Sequence, residues 1–325
     1  MTKAIVITAP GGPEVMHYTD VEVAAPGPGE LRVRHTAIGL NYIDVYFRTG
    51  LYPAPQLPFS PGMEAAGVVE AIGCDVSGFA LGDRIAYATP PVGAYAQERV
   101  MAADTVVKIP PGVSDSEAAA MMLKGMTAEY LLHRTYPVKA GDVILFHAAA
   151  GGVGLIACQW AKQLGATVIG TVGSDEKAEL ARAHGCDHPI VYTRENLVER
   201  VRELTHGAGV PVVYDSIGAD TYEASLNCLA PLGMMVSFGN ASGPAPAVSP
   251  GDLASRGSLF FTRPTLMTYT AKREDLVNSA NALFDVVKSG AVKIEVNQTF
   301  PLADASDAHR ALESRQTTGS TVLVP

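Results

Sequence analysis

The chain is expected to be an α/β protein in two parts, a mostly-β unit and a doubly wound parallel sheet of six strands. Three features of its 325 residues point there. Residues 1–120 carry short Val-, Ile- and Gly-rich runs between turn signals. From about residue 125, apolar strands alternate with helical segments. At 147–166 the stretch HAAAGGVGLIACQWAKQLGA sets three glycines in four positions between an apolar run and a helix.

In the first part the runs LRVRHTAIGL, AAGVVEAIG and DRIAYA are separated by PGPGE, YPAPQLPFSPG, TPPVG and IPPGV. That is the pattern of an all-β unit with irregular loops. In the second part the strand candidates are VILFHA (143–148), TVIGTV (167–172), HPIVY (188–192), PVVYDS (211–216), GMMVSFG (233–239) and SLFFT (258–262). Segments such as SDEKAELARAHG and TRENLVERVRELTHG lie between them with helical spacing. Continuously apolar strands alternating with helices fit a parallel sheet covered on both faces. The Pro/Ser/Gly-rich run 240–257 reads as a loop. A helix is expected at about 272–288. A strand near VKIEVNQTF, a helix near LADASDAHRALESR and a final strand STVLVP then form a tail able to close either part.

Hydrophobic content of 47% and charged content of 18% are those of an ordinary soluble protein with apolar mass for two cores. A net charge of −9 without clustered Lys and Arg argues against a nucleic-acid binder. Pro10 interrupts the N-terminal apolar run, unlike a secretory leader, and no run is long enough for a membrane helix. A cytoplasmic location is expected. Cys74, Cys158, Cys186 and Cys228 form no C-x-x-C pair, so reduced thiols are the simplest reading.

Strand 143–148 runs into Ala149-Ala150-Gly151-Gly152-Val153-Gly154 and then a helix, the context a dinucleotide site requires. Gly151 and Gly152 are expected to permit the tight turn and the approach of a pyrophosphate, and Gly154 to let helix and sheet pack. The free amides and dipole at the helix start favour the anion. NAD forms end the second strand on an acid that grips the ribose 2′-OH. Here the strand ends at Gly173-Ser174, with Lys177 one turn into the next helix. A hydroxyl plus a cation suits a 2′-phosphate, which points to NADPH. The alternative is that Lys177 is a solvated helix residue and that Asp175 or Glu176 holds the ribose.

The run GDVILFHAAAGGVGLIACQWAK (141–162) resembles the signature of zeta-crystallin-like quinone oxidoreductases, zinc-free members of the medium-chain dehydrogenase/reductase superfamily. AIGLNYIDVYFRTGLYP and LPFSPGMEAAGVVEAIG match in the first part. The resemblance covers essentially the whole chain. It implies a GroES-like catalytic domain (residues 1–124, completed by 266–325), a Rossmann domain (125–265), an NADPH-holding cleft and a homodimer. Carried onto this sequence, it implies pyrophosphate contacts at Gly152 and Val153. The 2′-phosphate falls near Gly173, Ser174, Lys177 and Tyr192, with Arg315 from the tail. Ser216, Phe238, Gly239, Asn240 and Ala241 line the path toward the nicotinamide ribose. Thr127, Phe261, Thr262 and Arg263 lie toward the nicotinamide. Read as residues alone, Tyr192 is equally a strand-end packing aromatic and Arg315 a solvated helix residue.

At the positions that match the catalytic zinc ligands of related alcohol dehydrogenases stand Asn41, Met63 and Lys124, which do not make a zinc site. The eight histidines show no paired spacing. No Ser-His-Asp or paired-carboxylate pattern suggests hydrolysis. A quinone needs no Lewis acid, because it is electron-poor and becomes aromatic on reduction. It needs a hydride nearby, a flat slot and a donor for the growing oxyanion. Asn41, Tyr46 and Tyr52 in NYIDVYFRTGLY are expected to shape that slot and donate to the quinone, with Asp44 and Lys124 close by. Tyr46 and Tyr52 read equally well as packing residues. Two alternatives stand beside a quinone reductase, namely an NADPH-dependent reductase of alkenal or enone C=C bonds and a non-catalytic NADPH-binding protein. The apolar edge SLFFT is the expected dimer seam.

Overall fold

A computed structural model of the chain describes residues 1–53 and 56–325; Ala54 and Pro55, within the turn run YPAPQLPFSPG, lie outside it. Two compact units divide the chain. One comprises Met1–Met126, Thr270–Lys288 and Ile294–Pro325; the other comprises Thr127–Tyr269 and Ser289–Lys293.

The first unit opens with the antiparallel hairpin β1 (Thr2–Ile7) and β2 (Met16–Val21). The long strand β3 (Glu30–Leu40) leads into helix α1 (Tyr42–Thr49). Strands β4 (Glu64–Ile72), β5 (Arg84–Ala88), β6 (Glu98–Ala102) and β7 (Val107–Lys108) follow, then helix α2 (Asp115–Tyr130), in which the two units meet along the chain. Strand β3 pairs antiparallel with β4 and β6. Ile5, Leu31, Val33, Ile38, Val69, Ile85, Tyr87 and Tyr95 fill the core of this unit.

The second unit alternates β8 (Val143–Phe146), α3 (Gly152–Gln163), β9 (Thr167–Val172), α4 (Asp175–Ala183), β10 (His188–Val191), α5 (Leu197–Leu204) and β11 (Val210–Asp215). It continues with α6 (Tyr222–Cys228), β12 (Leu229–Ser237), α7 (Pro250–Ser255), β13 (Phe260–Thr262) and the short α8 (Leu266–Tyr269). All six strands are parallel, in the order β10-β9-β8-β11-β12-β13. Numbered from β8 this is 3-2-1-4-5-6, the Rossmann order, in which ligands bind outside the carboxyl ends of the strands. The expected α/β class with a six-stranded parallel sheet and a separate mostly-β unit is what the chain adopts.

The tail returns to the first unit. Helix α9 (Arg273–Lys288) is followed by β14 (Val296–Pro301), α10 (Ala305–Glu313) and β15 (Ser320–Val324). β15 pairs antiparallel with β3, setting Val322 opposite Gly39, and parallel with β14. Leu302, Ala305 and Ala308 pack into the same core as β3 and β4.

Two sequence readings need correction. Residues 1–120 are not all β. The β-prone residues of YIDVYF form α1, because the Asp44 carboxylate accepts the Asn41 amide at 2.9 Å, the backward half of a capping box. Likewise α2 starts at Ser114, whose hydroxyl accepts the Glu117 amide (3.2 Å) while Glu117 accepts the Ser114 amide (2.9 Å). The loop 240–257 contains a helix of its own, α7, with Pro250 in its first turn.

Candidate active site

Every strand of the parallel sheet ends in a residue or loop that the sequence singled out. After β8 the chain turns through Ala148 and Gly151 into α3. The left-handed residue is Ala148 (φ 53°), while Gly151 is extended (φ −82°, ψ 172°). The left-handed step of the turn thus falls on Ala148 and not on one of the glycines. Gly154 is required by close packing. A Cβ there would stand 2.3 Å from the Ala148 carbonyl oxygen and 2.8 Å from Ala149 backbone atoms. No side chain caps α3, whereas Ser174 caps α4 and Asn196 caps α5. The first amides of α3, at Gly152 and Val153, are thereby left for an anion.

After β9, the Ser174 hydroxyl accepts the Lys177 amide at 3.3 Å. Tyr192, at the end of β10, donates its backbone amide to Val172 (3.1 Å). Its hydroxyl lies 3.0 Å from where a Cβ on Gly173 would stand, and the residue is 46% exposed. Gly173, Ser174, Lys177 and Tyr192 thus form one group. Asp175, the alternative ribose partner, is engaged by both guanidinium nitrogens of Arg194, which hold its carboxyl below the usual range.

The loops after β11 and β12 interlock. The Ser216 carbonyl accepts the Ala241 amide (3.1 Å), and the Asp215 carbonyl accepts the Phe238 amide (2.8 Å). The Asn240 carbonyl accepts the Gly243 amide (3.0 Å), so Ser216 and the run Phe238-Gly239-Asn240-Ala241 are one surface. After β13, which carries Phe261 and Thr262, Arg263 donates to the Ser237 carbonyl at 3.0 Å. Thr127 is buried within α2. Arg315 lies in the first unit, exposed and left-handed (φ 60°), one residue past the C-cap of α10 rather than within a helix.

Beneath the glycine turn runs a buried polar chain that the sequence reading did not find. His147 pairs its Nδ1 with Thr171 Oγ1 (3.0 Å) and its Nε2 with Ser225 Oγ (2.9 Å). Ser225 donates to Asp215 Oδ2 (2.7 Å), as does Thr221 (2.7 Å). Burial works to raise the Asp215 carboxyl, but His147, Thr221, Ser225 and the Gly218 amide outweigh it and hold it low. Burial depresses the His147 imidazole. Asp, His and Ser do meet here. The serine lies between the other two, and all three are inaccessible, so this is a scaffold and not a hydrolytic triad. Thr171 Oγ1 also accepts the amide of the left-handed Ala148 (3.2 Å), which ties the chain to the turn.

In the first unit a second buried network surrounds Glu64. Gly39 makes room for it. A Cβ at Gly39 would lie 2.1 Å from the Ala119 carbonyl oxygen and 2.4 Å from Glu64 Oε2. Glu64 accepts the Leu123 amide (2.7 Å), the Asn41 side-chain amide (2.7 Å) and the Lys124 ammonium (3.2 Å). Asn41 therefore spends its amide on a carboxylate of the protein rather than presenting it outward as a donor. Lys124 gives one of its three hydrogens to Glu64.

Asp44 lies fully buried on α1. Its Oδ2 accepts the Asn41 amide and the Tyr95 hydroxyl (3.0 Å). Oδ1 has no hydrogen-bond partner among the described residues. Burial pushes its carboxyl up to about 7, against the lowering effects of the Asn41 amide, Tyr95 and Lys124; nearby Glu64 adds to the rise. The Tyr46 ring packs at a tilt against Tyr52, with centroids 5.1 Å apart, and against Tyr42 at 5.7 Å. Asn41, Asp44, Tyr46, Tyr52 and Lys124 therefore all lie in the first unit, and Glu64 joins two of them, Asn41 and Lys124.

The first half of the chain, residues 27–138, matches the family model of the alcohol dehydrogenase GroES-like domain, and residues 152–283 match that of zinc-binding dehydrogenase. A quinone oxidoreductase of Pseudomonas aeruginosa is 56% identical over 325 residues, covering all of both chains. The chain belongs to the quinone oxidoreductase family of medium-chain dehydrogenases/reductases. Another relative of this family member, a 2-haloacrylate reductase of Burkholderia, is 49% identical over 332 residues, covering 100% of this chain and 99% of its own. The solved structure of Escherichia coli quinone oxidoreductase complexed with NADPH superposes with a TM-score of 0.98 at 49% identity, covering 99% of this chain and 100% of that one.

This quinone oxidoreductase homologue does not fit the metal in the second family model's description. Asn41 and Lys124 are bound to Glu64, and an amide, a thioether at Met63 and an ammonium are poor donors for zinc. Among the described residues no group of three or more His, Cys, Asp or Glu could hold a metal ion. Nor is any described helix long and apolar enough to cross a membrane.

Proposed function

We propose that the protein is an NADPH-dependent quinone reductase that works without zinc. The observation that carries this reading is the pairing of an uncapped α3, ready for a pyrophosphate, with a cation-bearing group at Ser174, Lys177 and Tyr192 where an NAD enzyme would place an acid. The solved relative with NADPH bound supports the choice of cofactor. When bound, NADPH supplies two electrons as hydride. With one proton from the medium, a quinone becomes a hydroquinone.

The chain's own residues bind and orient. The amides of Gly152 and Val153 receive the pyrophosphate, and Lys177 and Tyr192 receive the 2′-phosphate. Ser216, Phe238, Gly239, Asn240 and Ala241 receive the ribose, and Thr127, Phe261, Thr262 and Arg263 the nicotinamide. Tyr46 and Tyr52 form the wall of a flat slot for the quinone and supply hydroxyl donors. Lys124 keeps hydrogens beyond the one given to Glu64 and places positive charge where an oxyanion grows. Asn41 shapes the slot by anchoring the start of α1 to Glu64, and Asp44 holds that start in place. The GroES-like catalytic domain is residues 1–124 with the tail 266–325, and the Rossmann domain is 125–265.

Purified protein assayed with NADPH and 1,4-benzoquinone is expected to oxidise the cofactor. Tyr52→Phe and Asn41→Ala are each expected to lower quinone kcat/KM by about tenfold to a hundredfold. Unchanged turnover in both would defeat the assignment.

A second reading, a reductase of activated C=C bonds, draws support from the 2-haloacrylate reductase relative. Side-by-side turnover of 1,4-benzoquinone and 2-chloroacrylate separates the two. The protein is further proposed to act in the cytoplasm as a homodimer. Phe260 is 58% exposed on β13, a strand at the edge of the sheet and open to pairing.

A further inference from the structure

The quinone-slot network does not end at Asp44. The Tyr95 hydroxyl that donates to Asp44 also meets His309 Nε2 at 3.1 Å, and the His309 Nδ1 meets Arg48 NH1 at 3.1 Å. Arg48 then grips Glu313 with both terminal nitrogens, at 2.9 Å and 2.7 Å. Asp44, Arg48, Tyr95 and His309 are all buried; Glu313, on α10, is partly exposed. Three segments distant in sequence, α1, the stretch between β5 and β6, and α10, are joined into one line that starts near the surface and ends on Asp44.

The chemistry of the partners fixes the direction of every bond. An arginine nitrogen can only donate, so His309 Nδ1 accepts. Burial and then Arg48 depress the His309 imidazole to about 3, so it is neutral and its one hydrogen is on Nε2. Nε2–H therefore donates to the Tyr95 oxygen, and the Tyr95 hydrogen is free only toward Asp44 Oδ2. Each donor points at the carboxylate. Since Arg48 does not release a proton, the line cannot conduct one inward from Glu313. What it transmits is orientation and charge.

We propose that Tyr95 and His309 are positioning residues for quinone reduction: anchored by the Arg48–Glu313 ion pair, they favour the charged form of Asp44 and thereby fix the Asn41 cap and the slot built on α1. The proposal rests on the quinone-reductase reading. Asp44 is faced by the Asn41 amide and Tyr95, with Lys124 favouring its charged form and Glu64 opposing it; His309 is faced by Tyr95 and Arg48. Of these, the Tyr95 donor is the one a single-atom change removes.

The test uses Tyr95→Phe, His309→Leu and His309→Gln, each checked for folding by thermal melting. Quinone kcat/KM with NADPH is followed against pH. Turnover is expected to fall as Asp44 takes up a proton. Losing the Tyr95 donor raises that acid-side midpoint by about one unit and lowers kcat/KM at neutral pH by about fivefold. KM for NADPH is expected to stay within about twofold, because the line touches only the first unit. His309→Leu should behave like Tyr95→Phe. His309→Gln, able both to accept and to donate, should restore most of the activity and the midpoint. If Tyr95→Phe and His309→Leu lower the melting temperature yet leave midpoint and quinone kcat/KM as in the wild type, the line is structural only and the proposal is overturned. Should His309→Leu fail to fold, Tyr95→Phe decides alone. Asn41→Ala in the same assay reports on the underlying reading separately, since its failure leaves the midpoint shift in Tyr95→Phe intact.

Discussion

Asp44 accepts the Tyr95 hydroxyl on Oδ2 at 3.0 Å, while its Oδ1, equally buried, has no partner among the described residues. A carboxyl so placed is costly to ionise, and its pKa rises from 3.8 to about 7. The folded state then binds a proton that the unfolded chain has released. The stabilisation is complete below pH 3.8 and is lost as pH rises to about 7, by up to roughly 4 kcal/mol. Asp44→Asn removes this slope. Scanning calorimetry should show the melting-temperature difference moving in favour of Asp44→Asn between pH 4 and pH 7.

Two buried histidines act in the opposite sense. His35 accepts the Tyr87 hydroxyl (2.8 Å) and donates from Nδ1 to the Ala96 carbonyl (2.6 Å). Burial lowers its pKa to about 4, with Arg99 adding to the effect and the Ala96 bond opposing it. His309 is lowered to about 3. Both stay neutral in the fold while the unfolded chain gains protons below pH 6.5. Their stabilisation is present above that pH and fades as pH falls toward 4 and 3, by about 3 kcal/mol or more for each. Melting temperature is expected to drop steeply below pH 6, and His35→Gln should flatten that limb.

Gly154 has no room for a side chain. Gly154→Ala would set a methyl 2.3 Å from a backbone oxygen at the turn that precedes α3. A loss of about 2–3 kcal/mol in chemical denaturation is expected. NADPH affinity should fall by at least about tenfold, because the strained turn and the free amides of α3 move together.

Phe260 is the large exposed apolar side chain on the edge strand β13. If this edge joins two copies, Phe260→Lys places like charges at the seam and yields a monomer by light scattering, with the wild type a dimer. A wild type that is monomeric at micromolar concentration would remove the proposed dimer.

Much of this was legible in the sequence because local rules carried it. The glycine turn announced the strand–turn–helix, and the apolar strands of 143–262 announced the parallel sheet. Gly173 at the end of the second strand followed from those, while Tyr192, Ser216 and Phe238 were implied by the family resemblance. α1 was obscured by the β-prone residues of YIDVYF, although Asn41 and Asp44 stood at capping-box spacing. The two buried networks had no local signature. Arg48 to His309 is a contact across 261 positions and His147 to Ser225 one across 78, so only the folded topology brings them together. The role of Glu64 was likewise hidden, since a lone acid in sequence says nothing of the three donors that converge on it.

The central claim is that the carboxyl ends of β8 to β13 hold NADPH, with the 2′-phosphate on Lys177 and Tyr192. The most direct test is calorimetric titration of the wild type and Lys177→Ala with NADPH and with NADH. The account predicts that the wild type binds NADPH more tightly than NADH by about tenfold or more, and that Lys177→Ala loses this preference without weakening NADH. Equal affinity for the two cofactors in the wild type, or no binding of NADPH, would contradict it.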